Sequence, residues 1–274
     1  MILIVASNKD VASLNIKRQI LERYDFKSTA ERFEEETVFE IDVDNKKTKL
    51  ITLNRESISA QNLTNAFTQA EFIIFISRHS SVTEKPTLSV HTPGNLSSAE
   101  YCGIADEVSV SPANAMREAL KVMTQLRGEE QLDYEVSYEG THHGPSLNVP
   151  TMFVELGSSP EQWKDLKAAD VVAQAAMKSV KTFGSFPAKA VLGIGGPHYN
   201  DKFTRIALED NVAFGHMIPK YSVPRTDEAI LRQCIKKTLE KVETVVLDWK
   251  GIRSEDKPKL IQIIEQMSIQ TQKA

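Results

Sequence analysis

Two adjacent histidines stand in YEGTHHGPSL, residues 138–147, with Gly140 before them and Gly144-Pro145 after. The chain has six histidines, and the other four also fall near the ends of apolar runs or beside turn-forming residues: His79 after FIIFIS, His91 in LSVHTPGN, His198 in GIGGPHYN and His216 in AFGHMIPK. Imidazole donates, accepts or binds a metal near neutral pH, and loops are where a rigid scaffold displays chemistry. His216, taken alone, reads as a hydrogen-bonded structural residue. The rest read as a set. Successive residues of an extended segment point to opposite sides, so His142 and His143 are expected to do different jobs, one facing a pocket and one fixing the loop.

The motifs that would name a reaction are missing. There is no H-E-x-x-H, no G-x-S-x-G and no phosphate-binding loop. VLGIGGPHYN has glycines after an apolar run, but not in the dinucleotide pattern, and no acidic residue follows at the required distance. Gly195 and Gly196 are instead expected to let backbone approach a ligand, with Pro197 stiffening the turn that aims His198. The hydroxyl-rich SRHSS, beginning at Ser77 and Arg78, offers a nucleophile without elbow glycines, so water is the expected attacking group. Water needs a base in hydrogen-bond reach, or Zn²⁺ on about three N/O ligands with one position open. Histidines together with Glu155, near the end of TMFVEL, suit either arrangement. Spacing leaves both open.

The elements that must hold these residues alternate in type. MILIVAS is a buried strand, and 10–24 is helical with Val11, Leu14, Arg18 and Leu21 on one stripe. TVFEIDVDNKKTKLITLN reads as a hairpin turning at Asp44-Asn45. A helix over 58–70 precedes the strand FIIFIS. Ser111-Pro112 and Ser159-Pro160 each open a helix, with serine as cap, proline in the first turn and Gln162 completing a capping box in the second. Met116, Leu120 and Met123 form one core stripe, and Trp163, Leu166, Ala169 and Ala173 another. TMFVEL and AKAVLGI are buried strands, and helices over 227–247 and 257–270 close the chain. This predicts an α/β fold, a three-layer sandwich with a mixed, largely parallel central sheet, spanning 1–274 as a single domain. In such sheets sites form beyond the carboxyl ends of strands, where the histidines fall.

The totals are those of a globular protein: 41% apolar and 26% charged residues, with a formal net charge of −4. That balance argues against indiscriminate nucleic-acid binding. Between Lys164 and Arg205, however, lysine and arginine outnumber the acids, so one face could meet an anionic partner. Cys102 and Cys234 lack C-x-x-C spacing, which fits a reducing, cytoplasmic setting. The apolar opening is too short to span a membrane, and nothing in the helices demands an oligomer, so a monomer is expected.

Four segments in one order, SRHSS…PTLSVHTPGN, EGTHHGP, FVELGSSPEQW and GIGGPHY, resemble the archaeal and plant type of D-aminoacyl-tRNA deacylase, and the likeness runs over nearly the whole chain. The resemblance implies a phosphorylase/hydrolase-like α/β fold, zinc as cofactor, and hydrolysis of the ester joining a D-amino acid to the terminal ribose of tRNA. On that footing His79, His91 and His142 are the expected zinc ligands. His143 or Glu155 would accept the proton of water, and His198 would act as acid or oxyanion donor. Ser77, Arg78, Gly195 and Gly196 would bind substrate, the glycines admitting the terminal adenosine, and Lys164 and Lys167 would lead the lysines that meet tRNA phosphates. Chirality would rest on pocket shape. The rivals are a related metal-dependent hydrolase or nucleoside phosphorylase, and a tRNA-binding module without catalysis. The catalytic reading requires the scattered histidines to converge.

Overall fold

MILIVAS becomes β1 (Ile2–Ser7), buried along its whole length, in a computed structural model that describes all 274 residues. A strand buried on both faces needs strands at both edges and cover above and below. The next element, α1 (Val11–Arg23), supplies cover on one face, and the Asp10 carboxylate caps it by accepting from the Ser13 amide. The expected stripe is corrected here: Val11 and Leu14 are 48% and 37% exposed, and Ala12, Ser13, Ile16 and Ile20 face the sheet. Both stripes have helical spacing. The inner one carries small residues that allow close approach, and Ser13 Oγ donates to the Ile76 carbonyl, whereas the outer one includes Arg18, which belongs in water.

A meander follows: β2 (Lys27–Phe33), β3 (Glu36–Val43) and β4 (Lys46–Leu53). The turn between β3 and β4 falls at Asp44-Asn45 as expected, with φ of 49° and 64°. Asx residues tolerate that left-handed pair, which matches the twist of a two-residue hairpin. The expected helix over 58–70 shrinks to a 3-10 turn and the single-turn α2 (Leu63–Ala66), whose Leu63, with Phe67 and Ala70, still fills the core beneath the sheet.

Next come β5 (Phe72–Arg78), β6 (Thr87–His91), α3 (Ala113–Glu129), β7 (Glu135–Tyr138), β8 (Thr151–Gly157) and α4 (Leu166–Thr182). Together the first eight strands form one mixed sheet in the order β2-β3-β4-β1-β5-β8-β6-β7. The two predicted serine caps are not the caps observed. Ser111 Oγ accepts from Thr92, and the α3 amides of Ala113 and Asn114 donate to Glu240 from a distant part of the chain. Ser159 does pair with Gln162, but around a 3-10 turn, and Asp165 caps α4 itself, leaving Leu166 43% exposed.

The remainder builds a second sheet, which the single-sandwich expectation lacks. β9 (Lys189–Ile194), β10 (Val212–Ile218), β11 (Thr244–Leu247) and β12 (Gln270–Lys273) are all parallel, in the order β10-β9-β11-β12, connected through α5 (Asp201–Glu209), α6 (Glu228–Lys236) and α7 (Lys257–Gln266). Both closing helices are therefore shorter than expected, and each is followed by a strand. One apolar cluster runs through both sheets, joining Ile4 and Ile74 of the first to Val191, Phe214 and Val246 of the second. At the seam, Gly140 and Thr141 donate their amides to the carbonyls of His198 and Met217, each at 2.8 Å. No helix is long and apolar enough to cross a membrane.

Candidate active site

That seam brings the ends of strands from both sheets together. His79 follows β5, His91 ends β6, Glu139 follows β7 and is succeeded by His142 and His143, and His198 follows β9. Glu155 enters from within β8, paired across to Ser77 on one side and Ser89 on the other. Five of the six histidines meet in one group: the ring of His142 lies 4.3 Å from that of His91, 4.2 Å from that of His143 and 4.5 Å from that of His198, and His79 joins them through Glu139, 3.3 Å from its Nδ1. The required convergence is met. His216 stands apart, fully buried, with Nδ1 3.1 Å from Thr141 Oγ1 and Nε2 3.2 Å from the Lys237 carbonyl.

Glu139, which sequence reasoning leaves unassigned, is the hub. Its side chain is completely buried, with Oε2 accepting from His198 Nε2 at 3.0 Å and Oε1 3.3 Å from His79 Nδ1. Each of these imidazoles meets a tyrosine on its far side: His79 Nε2 contacts Tyr199 Oη at 2.8 Å, and His198 Nδ1 contacts Tyr221 Oη at 2.9 Å. The result is a chain of five side chains, Tyr199, His79, Glu139, His198 and Tyr221. A signal exists in the sequence, an acid three residues before His142 in the same loop.

Glu155 sits deeper. Ser77 Oγ donates to its Oε1 at 2.7 Å, and its oxygens lie 3.5 Å from His79 Nδ1 and 3.7 Å from His91 Nε2. Burial opposes ionisation of both acids, but His79 and its companions outweigh it, holding Glu139 well below the usual carboxylate range and Glu155 down at about 2. Burial likewise pulls His79 down, but Glu139 and Glu155 hold it up at about 10. His142 and His143 go the other way. Burial and the neighbouring rings depress both, His143 to about 4, so the pair is neutral at pH 7.

Those neutral imidazoles have their tautomers set. His142 Nδ1 donates to the Gly140 carbonyl at 2.9 Å and His143 Nδ1 to the Gly144 carbonyl at 2.7 Å. A carbonyl only accepts, so Nδ1 carries the hydrogen and Nε2 keeps a lone pair in both rings. His91, stacked on Phe153 at 5.0 Å, is fully buried with neither ring nitrogen hydrogen-bonded. The three have ligand atoms within 4.8 Å of one another. A carbonyl behind the non-ligating nitrogen is the usual backing of a metal-bound imidazole, and an orphaned buried nitrogen asks for a partner. The donor set fits zinc.

This grouping differs from the expected ligand set. His79 is not within that distance of His91 and His142; it groups with Glu139 and Glu155, because the carboxylates on either side of its ring capture it. The third imidazole within that distance of His91 and His142 is His143. The alternation expected of His142 and His143 also fails, because His143 has φ of 43° and the loop turns there, presenting both rings to one cluster.

Other expected substrate contacts are placed differently. Ser77 is buried beneath Glu155 and orients it. Arg78 lies on the rim, tied to Glu56 and to the Lys9 carbonyl and stacked over Trp163. Gly195 and Gly196, at φ of 101° and 75°, do permit close approach, but to the protein itself: a Cβ at either would strike Asp248, with Ile252 or Asn200 beside it. The side on which each glycine lacks a Cβ is occupied by protein. Lys164 and Lys167 are exposed, and Lys164 adjoins Trp163, whose indole donates to the His79 carbonyl at 2.8 Å. A cleft of about 960 Å³ opens instead at the amino ends of β9 and β11, where no histidine lies. In parallel sheets that end rarely carries the chemistry.

A buried imidazole-carboxylate cluster at the carboxyl ends of α/β strands defines a hydrolase-type site able to activate water. Residues 66–272 match the family described as D-aminoacyl-tRNA deacylase. A D-aminoacyl-tRNA deacylase of Thermococcus onnurineus is 36% identical over 97% of each chain, and that of Methanocaldococcus jannaschii is 34% identical over 98% of this chain and 97% of the relative. A crystal structure of a conserved protein of unknown function superimposes with a TM-score of 0.89 at 27% identity, covering 100% of this chain and 95% of the other. The chain belongs to the D-aminoacyl-tRNA deacylase family.

Proposed function

We propose that this chain hydrolyses the ester joining a D-amino acid to the terminal ribose of tRNA, freeing both for reuse in translation quality control. The observation that carries the reading is the meeting of five histidines and two buried carboxylates in one cluster. An aminoacyl ester is already activated, so a positioned water, a base and donors for the developing oxyanion suffice.

His198 is the acid-base group best placed for this. Its Nε2 donates to Glu139, which fixes the ring and leaves a lone pair on Nδ1, where Tyr221 stands 2.9 Å away on the open side. The Tyr221 hydroxyl hands its proton to Nδ1 as its oxygen takes the proton of the attacking water, Glu139 stabilises the imidazolium that results, and the proton then returns through the same hydroxyl to the departing ribose oxygen. The logic is that of an imidazole backed by a buried carboxylate. His79, cationic between two acids, offsets their charge. Zinc would be held by His91, His142 and His143, where it would polarise the ester carbonyl and lower the pKa of a bound water.

Exposed Lys164 and Lys167 would meet tRNA phosphates; replacing either lysine by alanine should reduce the salt slope of binding by about one counterion. We place this activity in the cytoplasm, carried out by a monomer. The test is release of amino acid from D-tyrosyl-tRNA and L-tyrosyl-tRNA. Hydrolysis of the D form alone is expected, and intact D-tyrosyl-tRNA after prolonged incubation defeats the reading.

A further inference from the structure

A cavity of about 300 Å³ opens beside the histidine loop, between residues 94–101 and the segment that follows β10. His142 and His143 form part of its wall, so a group seated in it lies directly beside the cluster. Two other lining residues are tyrosines with free ring surface, Tyr101 at 69% and Tyr221 at 53% exposure. Arg225 stands exposed at the same mouth, and Glu100 there accepts a hydrogen bond from Ser98.

The loop carrying Tyr101 is fastened to the histidines. Gly94 donates its amide to the carbonyls of His142 and His143, at 3.1 and 2.7 Å, and Gly144 donates to the Tyr101 carbonyl at 3.0 Å. Gly103 and Gly144 are packed so closely that a Cβ on Gly144 would lie 2.3 Å from the Gly103 nitrogen. Asn95 closes the turn by donating to the carbonyls of Cys102 and Ile104. The cavity is therefore a feature of the same rigid unit that aims His142 and His143.

The geometry points to this cavity as the seat of the terminal adenosine of the substrate tRNA, an inference that rests on the deacylase reading above. The ester is carried by the ribose of that nucleotide, so with the carbonyl at the histidines the base must lie one sugar ring away. Tyrosine rings supply the stacking surface that single-stranded bases use, and the guanidinium of Arg225 supplies a partner for the preceding phosphate. An aromatic amino-acid side chain is a poorer fit, since the remaining wall is largely hydroxyl and backbone, with Ser97, Ser98, Thr141 and Ser222. Tyr221 has two parts to play: its ring lines the seat, and its hydroxyl meets His198 Nδ1, so it positions the acid-base group against the bound nucleotide. At Gly195 and Gly196, where the sequence suggests the adenosine, Asp248, Ile252 and Asn200 occupy the side that the missing Cβ leaves open.

The probe is an uncharged acceptor-stem RNA hairpin whose 3′-terminal adenine is replaced by 2-aminopurine, a base whose fluorescence is quenched on stacking. The wild-type protein should quench it. Tyr101→Ala should reduce the quench at saturation and weaken binding about tenfold, with Tyr101→Phe restoring both. Arg225→Ala should weaken binding and leave the saturated quench intact. Tyr221→Phe should keep the quench but lower kcat on D-tyrosyl-tRNA without raising KM, whereas Tyr101→Ala should raise KM and leave kcat within about threefold. Absence of quenching by the wild type, or a quench and affinity unchanged in Tyr101→Ala, overturns the assignment. Hydrolysis of D-tyrosyl-tRNA without quenching removes the seat and leaves the deacylase reading standing; quenching without hydrolysis does the reverse.

Discussion

Nε2 of His198 lies 3.0 Å from Oε2 of Glu139, a carboxylate with no exposed surface, although the two residues follow strands of different sheets. The contact spans the seam between the sheets, and the Gly140 amide bonded to the His198 carbonyl fixes the same approach through the backbone. If His198 handles the proton, Glu139 must set its orientation and stabilise its charge. Glu139→Gln retains the size and one hydrogen-bond acceptor but not the charge. Its kcat on D-tyrosyl-tRNA should fall at least about a hundredfold, with the far-UV circular dichroism unchanged. A variant with near-normal kcat would show that the buried charge has no part in the reaction.

If zinc is held as proposed, by His91, His142 and His143, whose ligand atoms lie together, activity must depend on metal. Exhaustive chelation should lower activity and zinc should restore it. Alanine at any of the three should reduce the zinc-to-protein ratio measured by plasma mass spectrometry, and to a similar extent, because each removes one of three donors. His216→Gln, outside the cluster, should leave the ratio alone. Full activity of a preparation verified as metal-free would take zinc out of the mechanism.

Stability should respond to pH with a sign that identifies its sources. Burial holds His216 down at about 4 against an ordinary 6.5, so between those values the unfolded chain binds the more protons. The folded state is therefore favoured as pH rises across that window and loses the advantage as pH falls through it, a contribution on the order of 3 kcal/mol. His79 has the opposite sign. Held up at about 10, it stabilises fully below its ordinary 6.5, and that stabilisation is lost as pH climbs toward 10. Urea midpoints between pH 4.5 and 7 should rise for the wild type and rise less steeply for His216→Gln. Parallel curves would show that His216 is not a source of the slope.

Much of the site is legible from residue types because strand ends are marked by turn-formers, and FIIFIS, TMFVEL and AKAVLGI are apolar runs that form strands with only small shifts at their ends. Glu139 escapes because 37 acids are present and its place three residues before His142, the one local signal, says nothing of its burial. Burial is a property of the seam, which forms between segments about 60 residues apart. The pairing of His142 with His143 is hidden for a different reason: alternation holds for extended backbone, and one left-handed residue cancels it. β11 and β12 are four residues each, too short for TVVL and QTQK to stand out from the helical patterns before them, and β12, exposed throughout, has no apolar signature at all.

The start of α3 offers a test of the same kind of long-range information. SPAN has the appearance of a self-capped helix, but Ser111 Oγ is engaged by Thr92, and the first free amides donate to Glu240, with Ala113 at 3.0 Å and Asn114 at 2.8 Å. A carboxylate there satisfies two orphan donors and faces the positive end of the helix dipole. Glu240 also receives the side-chain amide of Asn114, which in turn accepts from Ala188 just before β9 and so ties the helix to the second sheet. Glu240→Ala should therefore cost about 1–2 kcal/mol, the upper range for removal of a cap, while Ser111→Ala should cost less. The check is the urea midpoint of each variant at constant m value. A larger destabilisation by Ser111→Ala than by Glu240→Ala would return the cap to the serine beside the helix.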